Sequence, residues 1–438
     1  MKIVQAAGWF YPDSLGGTER YVDVLARHLR QAGHDVLVAA PDAQISAPRE
    51  YEYEGLPVFR YPIPARPTRD EVQGRTRTRG AEYFDAWLGR QHPDLVHFHT
   101  FVTGLGLDEV RAAKAVGARV IVTTHSASLG YICQRGTMMR WGVSLCDAVA
   151  EPAKCASCEL QHRGVPKPAA WIAGHLPSII SSRSRFVPGR AGTLVSMPGL
   201  IEWNQARQRE LMRAVDRFVV LTRWGFDALI ANGAPPDKLM LNRLGIACVA
   251  GAAKEANRGL PVRAGFLSRF ESIKGARVLA RACRSLPPDC AITIEFRGPV
   301  ASAEERRIHE AVRSTIACDP RVSFAPAVQP SEAARVLAEY DVLLCPSLVV
   351  EGGPTVALEA MAVGTPVIAS ALGGIAEIVE DGRNGRLVPP GDFMALAAAL
   401  ADVAREPAVL ARWRAALPPI RTMYEVAQDY RALYDAVA

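Results

Sequence analysis

Apolar residues along the chain gather in short runs, separated by segments in which they recur every three or four positions. That alternation of buried strands with amphipathic helices is the signature of a parallel sheet covered on both faces. In the first half the strand-like runs lie at 3–7, 35–39, 95–98, 119–123 and 218–221. A break rich in alanine and glycine at 250–260 interrupts the rhythm, which restarts with runs at 262–267, 291–296, 322–324, 342–344 and 366–369. The restart predicts an α/β chain of two doubly wound domains facing each other across a cleft. Their expected bounds are 1–248, with a cysteine-rich insertion at about 131–163, and 262–420, joined by a linker at 249–261. The last segment, 421–438, has a helical pattern of mixed polarity and is expected to cross back onto the first domain.

At 438 residues, 49% of them hydrophobic, the chain exceeds what one core usually supports. No apolar stretch approaches the about 20 residues needed to span a bilayer, and the N-terminus begins directly as a strand, so the expected location is cytoplasmic. A net charge of +6 is modest, but positions 60–79 hold six arginines against two acids. Such a run reads either as a mobile basic loop or as a face for an anionic acceptor or anionic lipid headgroups. Nucleic acid is disfavoured, because few aromatics interleave with the basic residues.

The turn after the first strand lacks G-x-G-x-x-G, which argues against a nicotinamide or flavin dinucleotide. Gly16-Gly17-Thr18-Glu19 instead closes the turn and opens a helix, where paired glycines admit a ligand and the helix end offers donors to phosphate. Arg269 and Lys274 follow the first strand of the second domain, one planar and one point-like cation suited to a diphosphate. Glu351 and Glu359, with seven residues between them, bracket Gly352-Gly353-Pro354-Thr355 at the carboxyl end of a strand, the place where open α/β sheets hold ligands. Glu359, inside the following helix, suits ribose hydroxyls; Glu351, on the loop, lies nearer the reacting end of such a ligand. Taken singly, these features are also what a flexible turn, surface cations and a capping glutamate look like.

Together with His125, the run 360–370 and Gly373-Gly374-Ile375-Ala376-Glu377, these stretches resemble glycosyltransferase family 4, whose members have the GT-B fold of two Rossmann-like domains. The resemblance covers the second domain almost throughout and the first more loosely. It implies a retaining, hexosyltransferase-type enzyme that moves a sugar from a nucleotide diphosphate sugar to a glycan, lipid-linked or small-molecule acceptor without a catalytic metal. The corresponding pathway is bacterial surface polysaccharide or another glycoconjugate. By position, the resemblance implies that Arg269 and Lys274 hold the donor diphosphate and Glu359 the ribose. Glu351, Gly352, Gly353, Pro354 and Thr355 would hold the sugar and the departing phosphate, with Gly16 and Gly17 closing over the phosphates and His125 near the sugar hydroxyls. Ser126 stands where the family commonly has an acid, and the interdomain strand reads Asn242-Arg243-Leu244-Gly245-Ile246. A nucleotide-sugar epimerase or hydrolase of the same fold, or a catalytically silent nucleotide-sugar-binding subunit, are the alternatives.

Of nine cysteines, Cys133, Cys146, Cys155 and Cys158 cluster. Four thiols including a C-x2-C pair suit a closed tetrahedral zinc site, with an iron–sulfur cluster or metal-free redox thiols as alternatives. Downstream, 171–180 and 196–203 are apolar and flanked by Arg183, Arg185, Arg190, Arg207 and Arg209. They read as core helices in preference to a surface meeting a lipid-linked acceptor at the membrane.

Overall fold

The computed structural model describes residues 1–14, 16–247 and 260–437; the expected linker, except for its last two residues, and Cys248 lie outside the described residues. The chain divides into two units, one of Met1–Trp141, Cys146–Arg243 and Met423–Ala438, the other of Gly142–Leu145 and Leu244–Thr422.

The sheet of the first unit runs in the order Leu239–Leu241, Arg217–Val220, Arg119–Thr124, Leu95–Phe98, Lys2–Ala6, Asp35–Asp42, Leu56–Pro62, Arg49–Tyr53. Every pairing is parallel except the last. Central strands such as Leu95–Phe98 are buried at all positions, which is why they read as unbroken apolar runs. The antiparallel edge strand Arg49–Tyr53 is largely exposed and carries no such run, so the pattern gives no sign of it. Helix Met423–Val437 belongs to this unit and packs on helix Gly17–Gln31, burying Val426, Tyr430, Leu433 and Tyr434.

The sheet of the second unit is wholly parallel, in the order Val322–Ala325, Ile292–Arg297, Val262–Leu267, Val342–Cys345, Val367–Ser370, Gly385–Val388. From Val262–Leu267 the chain proceeds outward on one side and returns on the other at Val342–Cys345. The order of connection thus reverses between these neighbours, and their carboxyl ends form the topological switch point, where open α/β sheets place a ligand crevice.

Within the basic stretch 60–79 three of the arginines are engaged by acids of the protein itself. Arg60 is buried against Asp13 (3.0 Å) and Asp42 (3.2 Å), Arg77 meets Asp85, and Arg79 grips Glu71 at 2.9 Å. Thr68 and Glu71 form a capping box that fixes the short helix Arg69–Val72 between them.

Candidate functional site

In the second unit the sequence determines how closely the two crevice loops approach. Gly275 has φ +77°, and a Cβ there would stand 1.8 Å from the carbonyl oxygen of Pro346, so the first loop lies directly against the second. The Leu348 amide donates to the Ile273 carbonyl at 2.7 Å and completes the stitch. This seam delivers Lys274 to Glu351: its ammonium donates to Oε1 at 2.8 Å, and the Ser347 hydroxyl donates to the same oxygen at 3.1 Å. The neighbouring Cys345 thiol is pushed up to about 12, first by burial and then by the Glu351 charge, so it is no nucleophile.

Behind Glu351, Gly373 and Gly374 leave room for the loop 351–353. A Cβ on Gly373 would lie 2.6 Å from the Glu351 carbonyl oxygen, and one on Gly374 the same distance from that of Gly352. The Gly374 amide donates to the Glu351 carbonyl at 2.9 Å. Gly353, at φ +122°, then turns the chain into helix Thr355–Ala362, which Pro354 caps. The first amides of that helix have no acceptor within it, as at any helix N-terminus, and such amides suit an anion. Glu359 sits partly exposed in its second turn.

Arg269 is not brought to the Lys274–Glu351 pair. It pairs with Glu271 at 2.9 Å, at the start of the same loop. Of the two cations, Lys274 is the one that meets Glu351.

In the first unit, Gly16 caps helix Gly17–Gln31, and the Glu19 carboxylate folds back on it, accepting from the Ser14 hydroxyl. A Cβ on Gly17 would meet open space. His125 follows strand Arg119–Thr124 and joins a buried polar chain that the sequence reading missed. His125 Nε2 lies 3.2 Å from His99 Nδ1, and His99 Nε2 lies 2.6 Å from Gln5 Oε1. His97 reaches the Tyr434 hydroxyl (2.6 Å) and Thr123 (2.7 Å), and Thr123 in turn meets Tyr430 (2.7 Å). Two histidines one residue apart at the end of a buried strand, 97 and 99, were the available signal.

Burial lowers the pKa of all three imidazoles, that of His125 to about 3, so they are neutral hydrogen-bonding groups in the folded chain. On unfolding they return toward 6.5, and below that pH the unfolded chain takes up protons that the folded chain does not. Stability is therefore expected to fall between pH 6.5 and 5, with a slope that approaches about 1.4 kcal/mol per pH unit for each histidine at the acid end. Chemical denaturation at the two pH values checks this, and a flat profile would contradict it.

Beside His125 lies a cavity of about 530 Å³ of mixed lining, whose polar side chains include Arg69, Tyr131, Gln134, Asn204 and Arg207. It shares Phe101, Ser128 and Gly130 with the smaller pocket around His99 and His125. The Arg207 guanidinium lies over the Tyr131 ring at 3.8 Å, and Arg69 donates to Ser196 at 2.7 Å.

Cys133, Cys146, Cys155 and Cys158 line one small cavity of about 50 Å³ together with Arg135, whose Nε and Nη1 are buried without a hydrogen-bond partner. Backbone amides aim at the sulfurs: Trp141 donates to Cys158 at 3.3 Å and Glu151 to Cys155 at 3.4 Å. Burial pushes the Cys155 thiol up to about 11. Among the described residues, no three His, Cys, Asp or Glu side chains stand in the arrangement of a metal-binding group.

Two family models match the chain. "Glycosyl transferase 4-like domain" covers residues 16–245, and "Glycosyl transferases group 1" covers 261–406. The putative colanic acid biosynthesis glycosyltransferase WcaL of Salmonella typhimurium is 29% identical over 60% of this chain and 64% of its own. A D-inositol 3-phosphate glycosyltransferase of Streptomyces scabiei is 29% identical over 76% and 65%. The matched region thus spans just under two thirds of the length of these relatives. Among solved structures, sucrose-phosphate synthase from Thermosynechococcus elongatus is similar at TM-score 0.64 and 20% identity, with both chains fully covered. Anabaena HepE, solved in complex with UDP and glucose, is similar at 0.61 and 14%, again over both whole chains.

Proposed function

The chain belongs to the glycosyltransferase 4-like family and has the GT-B fold, and on that premise we propose that it moves a sugar from a nucleotide diphosphate sugar to an acceptor hydroxyl with retention at the anomeric carbon. The observation that carries this reading is the Lys274–Glu351 pair, held at the switch point of the second sheet beside a helix N-terminus. Negative charge develops on the β-phosphate as its oxygen separates from the anomeric carbon. A fixed ammonium and unpaired helix amides stabilise it, the work a divalent metal does in other transferases. The acceptor oxygen bonds to the anomeric carbon on the face the phosphate leaves, and its proton passes to the departing phosphate oxygen. Glu351, fixed by Lys274 and Ser347, orients the sugar and supports its developing positive charge. Glu359 takes the ribose hydroxyls.

The cavity beside His125 suits a hydroxyl-rich acceptor, since guanidinium, amide and phenol groups offer donors in a partly enclosed space. The WcaL relative supports a place in bacterial surface polysaccharide synthesis. Removing the Glu359 carboxylate (Glu359→Ala) is expected to weaken donor binding about tenfold, whereas Glu351→Ala should lower kcat about 100-fold and leave donor affinity within a few-fold. Titration calorimetry and steady-state kinetics on the two variants separate the roles, and equal, negligible effects would refute them.

The four cysteines are assigned a structural metal site, zinc in preference to an iron–sulfur cluster. Four sulfurs lining one cavity, amides donating to two of them, and Arg135 Nε and Nη1 buried there without a hydrogen-bond partner support a thiolate cluster with excess negative charge. The metal would displace the thiol protons and pin the insertion beside the acceptor cavity. Metal analysis of anaerobically purified protein is expected to show about one zinc per chain, lost in Cys155→Ser. Iron with a visible absorption band would assign the cluster instead, and neither metal would overturn the site.

A further inference from the structure

Residues 160–201 contain no aspartate or glutamate, but they hold Arg163, Lys167, Arg183, Arg185 and Arg190. In the fold this acid-free stretch makes a small lobe whose polarity is inverted. Helix Lys167–Gly174 turns its small residues Ala170 and Ala173 into a core with Leu160, Met197 and Leu200. Its large apolar residues face outward, Trp171 at 60% exposure and Ile172 at 62%. Helix Ser178–Arg183 repeats the pattern: Ser181 is buried and accepts from the Gly199 amide at 2.7 Å, while Ile179 is 68% exposed and Ile180 51%. Phe186 follows at 74% exposure. Lys167, Arg183 and Arg190 are exposed on the same segments. This corrects the core-helix expectation for 171–180; the second segment, 196–203, does enter the core through Met197, Leu200 and Ile201.

Large apolar side chains cost free energy in water unless something covers them, and five of them exposed between 171 and 186 mark a docking surface. Exposed cations with no acid over 42 residues select an anionic occupant. A tryptophan, isoleucines and a phenylalanine exposed on segments that also expose lysine and arginine suit the boundary between acyl chains and headgroups. No described helix is long and apolar enough to cross a membrane.

We propose that the lobe 167–190 docks the protein onto an anionic lipid bilayer, with Trp171, Ile172, Ile179, Ile180 and Phe186 entering the interface and Lys167, Arg183 and Arg190 meeting the headgroups. The lobe runs directly into helix Gly189–Ala214, which supplies Thr193, Met197, Leu200, Asn204 and Arg207 to the large cavity. Resting on the glycosyltransferase reading, this continuity names the acceptor class: a glycan carried on a membrane lipid, presented to the cavity from the docked face.

Flotation of the full chain with vesicles of phosphatidylglycerol and phosphatidylcholine tests the docking itself, independently of catalysis. The wild type is expected to float with the mixed vesicles and at least tenfold less with pure phosphatidylcholine or at high salt. Trp171→Ser/Ile172→Ser and, separately, Arg183→Glu/Arg190→Glu should each reduce flotation at least tenfold while keeping the wild-type circular dichroism and donor binding. Wild type that stays in solution, or variants that float equally well, would overturn the proposal. So would a chain dimer dissolved by the apolar substitutions, which would assign the surface to a second copy. Donor binding lost in wild type and variants alike would count against the transferase reading and leave the docking result standing.

Discussion

Replacing Lys274 with alanine is expected to lower kcat/KM for sugar transfer by about 10³, close to 4 kcal/mol of transition-state stabilisation. In the proposed reaction the ammonium is where negative charge develops, and Arg269, the other cation of this loop, is engaged with Glu271. The loss should fall mainly on kcat if the contact strengthens as the phosphate departs. Folding should be little affected, because the Lys274–Glu351 pair is partly exposed and such pairs contribute about 1 kcal/mol or less. Lys274→Arg should recover only part of the activity, because a planar fork does not reproduce a compact point charge held against Glu351. Steady-state kinetics with matched unfolding curves checks this; a kcat/KM within threefold of wild type would contradict it.

The second large effect is structural. Gly275→Ala places a methyl where the Pro346 carbonyl oxygen already stands and puts a Cβ on a left-handed residue at φ +77°. The conformation alone costs about 1–2 kcal/mol. Relieving the overlap must also part the two crevice loops, for a combined cost of about 3 kcal/mol or more. Turnover should fall sharply with it, since the seam is what brings Lys274 to Glu351. Gly17→Ala makes the control: its Cβ would meet open space, and stability should stay within about 0.5 kcal/mol of wild type. Denaturant titration of both variants compares them. Equal stability would mean that the seam does not organise the crevice.

Much of this fold was legible because a parallel sheet buries both faces of its strands. Runs such as 95–98 and 262–267 coincide with strands Leu95–Phe98 and Val262–Leu267. Strands with little burial to impose a pattern, such as Arg49–Tyr53, gave no such signal. At the site, the spacing from Glu351 to Glu359 located the loop and helix of the second sheet, because glycine and proline between two acids leave few other local conformations. The partner of each charge was not legible. Lys274 and Glu351 were assigned different parts of the donor, yet they touch, and Arg269 turns to Glu271. The histidine chain through His97 and His99 to Tyr430 and Tyr434 depends on residues more than 300 positions apart, which no local pattern connects. The outward-facing Trp171 and Ile172 looked like core because hydrophobicity in sequence does not say which way a helix is turned.

The central claim is that Lys274, held against Glu351 at the switch point, is the cation that reads the donor diphosphate. Titration of wild type and Lys274→Ala with the preferred nucleoside diphosphate and its monophosphate tests it most directly. Wild type is expected to bind the diphosphate at least tenfold more tightly than the monophosphate, and Lys274→Ala to bind the two about equally. The same preference for the diphosphate in both proteins would contradict the claim.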